Sequence, residues 1–327
     1  MKPLPLCPLA VLLLLICTHI LFASEHVANC TSEIPIVVIG ANNVVIQGLQ
    51  RDSLVVEESK GPTTITSLTP EVGPRRIVFV LDRGSHMGEN AMKLTEAMIE
   101  KILQDARSGD KFGLFTAEKD PIRLNPTSPD TVAGVFRDRV SGKQSKGASM
   151  LDAISDAVHA LEPAQSGDAL FVFSGADDFS DSRNRFANVY EELSEKHIRV
   201  FGVLFSYVIG GGMSPYLIVG GGAIFASPGV SGNAETMNSL SWESGGYLVQ
   251  ENLRDALRTY KLTDERLHKL TQLGLQEYGA IVQFDRLEVS RDASSKRQAI
   301  KLDLAPEWRK KKPAAVLIYP RQLPACP

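Results

Sequence analysis

From Arg76 onward the chain alternates between two patterns, and that alternation restricts its fold more than any other feature. Ile77–Leu81 is a continuous apolar run, the pattern of a strand buried on both faces. In residues 90–106, Leu94, Met98 and Ile102 recur at fours, with Ile99, Leu103 and Ala106 beside them, which predicts a helix. Gly109-Asp110 stops it. "KFGLFTA" reads as a second strand and "DPIRLN" as a third, antiparallel and at an edge. Ser128-Pro129-Asp130 opens a helix with proline just inside its start. Residues 149–161 predict another helix, "ALFVFSG" a buried strand, residues 182–196 a helix and "IRVFGVLF" a strand. "SLSWES" is a short helix ended by Gly245-Gly246, and "YLVQ" is the last strand of the set. Such alternation predicts an α/β fold: a doubly wound, mostly parallel sheet with helices on both faces.

The flanks differ from this middle. "IPIVVIG", "NNVVIQ", "SLVVEE" and "TTITSL" are short and β-branched, and Lys60-Gly61-Pro62 marks a turn between the last two. Residues 251–276 carry one long helical stripe of Leu253, Leu257, Tyr260, Leu267, Leu270 and Leu273. "YGAIVQF", "QAIKLDL" and "AAVLIYP" then read as three strands. The expected division is a leader at 1–24, a β segment at 31–72, the α/β domain at 75–250, the long helix at 251–276 and a β segment at 277–327. Head and tail are expected to make one small β domain, split by the α/β insertion.

"MKPLPLCPLAVLLLLICTHILFAS" has the form of a secretory signal. Lys2 is its positive region, Val11–Ile16 its apolar centre, and Ala23 or Ser24 a small residue for cleavage. Export, to the outside or to the periplasm and cell envelope, is therefore expected. Cys7 and Cys17 would leave with the leader, and Cys30 and Cys326 remain at opposite ends. In an oxidising compartment two cysteines pair in one way, so the expectation is a Cys30–Cys326 disulfide, the alternative being two free thiols. A net charge of −3 leaves no basic field for nucleic acid. The one dense basic run, Arg309–Lys312, reads as a solvated turn. Val200–Ala234 carries no charged residue, but its two Gly-Gly-Gly runs and Pro215 oppose a membrane helix. The expectation is an apolar loop over the end of the sheet, a partner surface carrying Tyr207, Met213 and Tyr216, with no span beyond the signal.

Four motifs carry a family resemblance. "RRIVFVLDRGSHMGEN" resembles the first strand and turn of a von Willebrand factor type A domain. "KGASMLDAISDAV" resembles that family's second motif, "ALFVFSGADD" its third, and "LSWESGGYLV" its closing helix and strand. The head "VIQGLQRDSLVVEESKGPTTITSL" and the tail "LGLQEYGAIVQF" are similar to the bacterial exported VWFA-related branch. The resemblance implies a metal-ion-dependent adhesion site, built from an Asp-x-Ser-x-Ser loop, a later Thr and a later Asp. Hard oxygen donors of that kind suit Mg²⁺ or Mn²⁺. Here Asp82 matches the first acid, but Gly84 and His86 replace the two serines. Ala148 takes the threonine position, beside Ser149, and Gly175 takes that of the second aspartate, ahead of Asp177 and Asp178. The expectation is a relic site with no metal and no cofactor. The rival is a rebuilt transition-metal site of Asp82, His86 and Asp177.

Catalytic motifs are missing. There is no Gly-x-Ser-x-Gly and no His-Glu-x-x-His, and "SGKQSKGAS" lacks both the Lys-Ser/Thr pair and the preceding strand of a phosphate loop. The expected function is a non-enzymatic interaction or adhesion module for a protein or surface polymer. Its contact residues would come from Asp82, Ser85, His86, Met87, Asp177, Asp178, Tyr207, Met213 and Tyr216. The alternative is a structural subunit of an envelope assembly with no separate ligand.

Overall fold

A computed structural model describes residues 29–40, 44–59, 62–84, 87–140, 149–175, 183–206, 216–217, 232–252, 264–292, 296–323 and 325–326. The chain opens with β1 (Asn29–Ile39), β2 (Leu54–Ser59) and β3 (Thr63–Glu71). It then enters β4 (Arg76–Asp82), α1 (Gly88–Gln104), β5 (Lys111–Ala117), β6 (Arg123–Thr127), α2 (Pro129–Arg139) and α3 (Met150–His159). The middle continues through β7 (Ala169–Ser174), α4 (Phe186–Lys196), β8 (Arg199–Ser206), β9 (Tyr216–Leu217), α5 (Gly232–Ser244) and β10 (Leu248–Asn252). Last come α6 (Asp264–Val282), β11 (Phe284–Asp292), β12 (Gln298–Leu304), α7 (Pro306–Lys311), β13 (Val316–Ile318) and β14 (Gln322–Leu323).

The central sheet has the order β6-β5-β4-β7-β8-β10-β9. Strands β5, β4, β7, β8 and β10 run parallel, and the edge strands β6 and β9 run antiparallel. Alternate residues of β4 supply two cores. Ile77, Phe79 and Leu81 face α1 and α6, while Val78 and Val80 face α3 and α4. A strand covered on both sides has no polar face, which is why its sequence is unbroken apolar. Ser128 caps α2 through its side chain, with Pro129 at the first helical position. Gly245 ends α5 at φ +84°, and a Cβ there would lie 2.4 Å from Pro320 N, so glycine is required twice over. The doubly wound α/β reading is borne out.

The flanks build two further sheets, β13-β1-β11-β3 and β14-β12-β2, around a separate core that includes Ile34, Ile36, Leu287, Val289, Leu302 and Leu317. Head and tail interleave directly, since β1 pairs antiparallel with β11 from Asn29–Asp292 to Ile36–Asp285. Cys30 and Cys326 form the disulfide, with Cα atoms 6.0 Å apart. Among the described residues, no helix is long and apolar enough to cross a membrane.

Two expectations need correction. "YGAIVQF" is not a strand. Helix α6 runs on to Val282 and buries Tyr278, Ala280, Ile281 and Val282, and the strand begins only at Phe284. A short apolar run has no period that separates a helix end from a strand. "NNVVIQ" forms no strand among the described residues beyond a single Ile39–Val45 bridge. The first part of the expected long helix, 253–263, lies outside the described residues.

Helix α6 also places a carboxyl inside the protein. Glu277 is 1% exposed, and burial pushes it well above the usual carboxylate range. The buried Tyr247 hydroxyl is pushed up as well, by burial and by Glu277. An acid whose folded pKa is raised contributes most stability below its unfolded pKa of about 4.3. That contribution is lost as pH rises toward the folded pKa, by at most about 1.4 kcal/mol per pH unit. Glu277→Gln should therefore match the parent in acid and exceed it increasingly as pH rises. Urea unfolding across the pH range would check this, and a constant difference would contradict it.

Candidate functional site

The sheet order reverses between β4 and β7, because β5 and β6 lie on one side of β4 while β7, β8 and β10 lie on the other. In open α/β sheets the crevice at the carboxyl ends of such strands is where ligands bind. Asp82 ends β4 there and is 2% exposed. One carboxylate oxygen accepts the Gly84 N–H at 2.9 Å. The other accepts the Ser174 hydroxyl at 3.1 Å and the Gly175 N–H at 3.3 Å. The first bond closes a turn two residues on, as aspartates do before a helix. The other two are charge-assisted bonds to the end of β7. Asp82 thereby ties the first-motif turn to the third-motif strand.

Arg83 points the other way and is also buried. Its guanidinium pairs with Glu118 at 3.0 Å, the two side chains being 3% and 9% exposed. Glu118 also accepts the Thr116 hydroxyl at 2.7 Å, and Arg83 donates to the Arg139 and Val140 carbonyls, each at 3.4 Å. Those carbonyls end α2, where a cation is favoured. On the far side, Ser149 caps α3 by accepting the Asp152 N–H. The Asp152 carboxylate accepts the N–H groups of Arg183 and Asn184 at 3.2 and 3.0 Å, together with both of their side chains. This bond set holds the segment leading into α4 against the start of α3.

Two expected contact residues are not on the surface. Asp82 is engaged by three protein donors, and Met87 is 0% exposed in the core beneath α1. Neither side chain is available to a partner. Ser85, His86, Ala148, Asp177, Asp178, Tyr207 and Met213 lie outside the described residues. Tyr216 pairs with Gln250 through its backbone, and its side chain lies outside the described residues. Sequence reasoning missed Arg83, Glu118, Asp152 and Ser174. Ser149-x-x-Asp152 has the spacing of a helix-start motif and could have been found. The Arg83–Glu118 pair joins residues 35 apart, each just past the end of neighbouring strands β4 and β5, and no local pattern announces it.

The described positions do not fit the Mg²⁺ site that the resemblance implies. Gly84 and Gly175 have no side chain to coordinate, and both aim N–H groups, the positive end of a dipole, at the Asp82 oxygens. Among the described residues no group of three His, Cys, Asp or Glu is placed to hold a metal ion.

The strand order defines a doubly wound α/β fold carrying a small β domain, with an acid ending β4 and a capped α3, the architecture that the von Willebrand type A resemblance leads one to expect. Solved structures of similar fold include the conserved hypothetical protein BatB from Bacteroides thetaiotaomicron, at 14% identity, covering 64% of this chain and 98% of that one, TM-score 0.43. An aerotolerance-related membrane protein from Bacteroides fragilis matches at 15% identity, covering 60% of this chain and 100% of that one, TM-score 0.39. The SpRpn10 VWA domain matches at 9% identity, covering 61% and 94%, TM-score 0.39. At these values none carries an argument about activity or partner, and the fold assignment rests on the strand order. No family model and no curated protein matches the chain.

Proposed function

We propose that this chain is an exported, non-enzymatic interaction module that binds a protein or surface polymer without a metal ion. The contact face is assigned to the segments that follow β4, β7 and β8 in the chain, residues 82–87, 174–181 and 207–234, with Asp82 and Met87 themselves committed inside the protein. The observation that carries the reading is the engagement of Asp82. Both carboxylate oxygens accept protein donors at the switch point, so the acid holds the two loops together where an ion would otherwise do so. The disulfide fits an oxidising compartment. Recognition then rests on shape and hydrogen bonding by side chains on a braced rim.

Capture from cell-envelope and secreted fractions tests this. The same partners should be retained in EDTA and in Mg²⁺. They should be lost in an Asp177→Ala/Asp178→Ala variant, weakened little in His86→Ala, and kept in Arg297→Ala, just ahead of β12 in the β unit, where Arg297 pairs with Glu195. Retention only with a divalent cation would overturn the reading. So would equal retention by every variant of the face.

A further inference from the structure

Two arginines converge where the α/β unit meets the β unit. Arg75 lies just ahead of β4, and Arg199 opens β8. Both guanidiniums lie against the Phe284 ring, at 4.5 and 4.3 Å from its centroid. Phe284 opens β11, so the contact joins the two units. Arg75 is 2% exposed and Arg199 0%.

Their hydrogen bonding is incomplete. Arg75 donates from Nη2 to the Glu71 carbonyl at 2.7 Å and from Nη1 to the Pro74 carbonyl at 3.4 Å. Arg199 donates from Nη2 to the Ile281 carbonyl at 2.9 Å. Arg75 Nε, Arg199 Nε and Arg199 Nη1 are buried with no protein partner. Leaving buried charged donors unpaired is costly. Nearby carboxylates are already committed. Asp110 accepts the Arg75 N–H, the Arg107 guanidinium and the Tyr278 hydroxyl, and Asp168 accepts Arg76 and the Gln165 N–H. Glu71 reaches Arg75 only at 3.8 Å. Burial and mutual repulsion lower Arg199 to about 9, so even the loss of its proton is brought nearer.

Buried, unpartnered donors on two neighbouring cations favour a negative charge beside them. We propose that a small monovalent anion, with chloride as the abundant one, binds at this junction to the free N–H groups of Arg75 and Arg199. It offsets part of the buried positive charge and ties the two units together at the foot of the sheet. The site lies at the opposite end of the strands from the Asp82 crevice and is independent of what that crevice binds.

The test uses the oxidised full chain at constant ionic strength, with gluconate progressively replaced by chloride or bromide. The expected result is a melting temperature that rises and saturates at millimolar halide, since a ligand bound only by the folded state stabilises it by mass action. Arg199→Met should lose that dependence. Crystals of the parent chain soaked in bromide should show anomalous scattering beside Arg75 and Arg199, which keeps the test open if the variant folds poorly. An equal melting temperature in halide and gluconate with no bromide at the junction would overturn the proposal. So would a halide effect that persists unchanged in Arg199→Met.

Discussion

Replacing Cys30 and Cys326 by serine is expected to remove about 2–5 kcal/mol of stability. The two residues are 296 apart in sequence, so the bridge closes nearly the whole folded chain into one loop. In the chain-entropy view the stabilisation grows with the logarithm of loop length and comes to about 5.7 kcal/mol for such a loop, an upper figure that measured disulfides usually fall below. Folded domains are stable by only about 5–15 kcal/mol, so the loss is a large fraction of the total. It should fall first on the β unit, because β1 and the tail are the pieces that the bridge joins. Urea unfolding of the Cys30→Ser/Cys326→Ser variant, and of the parent with reductant, should both show the loss. A change below about 1 kcal/mol in both would mean that strand pairing between β1 and β11 alone holds the ends together.

Glu118→Ala should cost about 3–5 kcal/mol, the usual result of stripping one partner from a buried ion pair. Arg83 is 3% exposed, so its charge stays buried when Glu118 is removed. The carbonyls that it also meets at the end of α2, each at 3.4 Å, carry only partial charge. The loss should come from breaking this buried pair. Arg83→Met combined with Glu118→Leu, which removes both charges while filling the space, should recover most of it. Equilibrium denaturation of the single and double variants measures the coupling directly. Additive effects of the two substitutions would contradict the pair's role.

Much of the fold was legible in local pattern. The unbroken Ile77–Leu81 run, the fours of Leu94, Met98 and Ile102, and the Ser128-Pro129 start each come from a constraint within a few residues. The elements that misled were those whose identity is set from elsewhere. Tyr278–Val282 is helical because it packs on the sheet, and its apolar run would suit either structure. Strand β11 was hidden because its buried face carries, beyond Phe284, only two apolar residues, Leu287 and Val289, followed on the same face by the buried Arg291. At the site, the loss of ligand side chains at Gly84 and Gly175 could be read from sequence, but their new use as donors to Asp82 could not. Nor could the Arg75–Phe284–Arg199 contact, which joins three segments far apart in the chain. Tertiary pairing of that kind leaves no periodic trace.

The most direct measurement is thermal unfolding of the oxidised full chain in EDTA, followed by Mg²⁺, Mn²⁺ and Zn²⁺ in turn. A site loaded at about a hundred times its dissociation constant adds about 2.7 kcal/mol, which shifts the transition visibly. With Asp82 already held by Gly84, Ser174 and Gly175, the expected result is one unfolding temperature in all four conditions. A rise with Mg²⁺ or Mn²⁺ that disappears in Asp82→Ala would contradict metal-independent binding and return the ion to the centre of recognition.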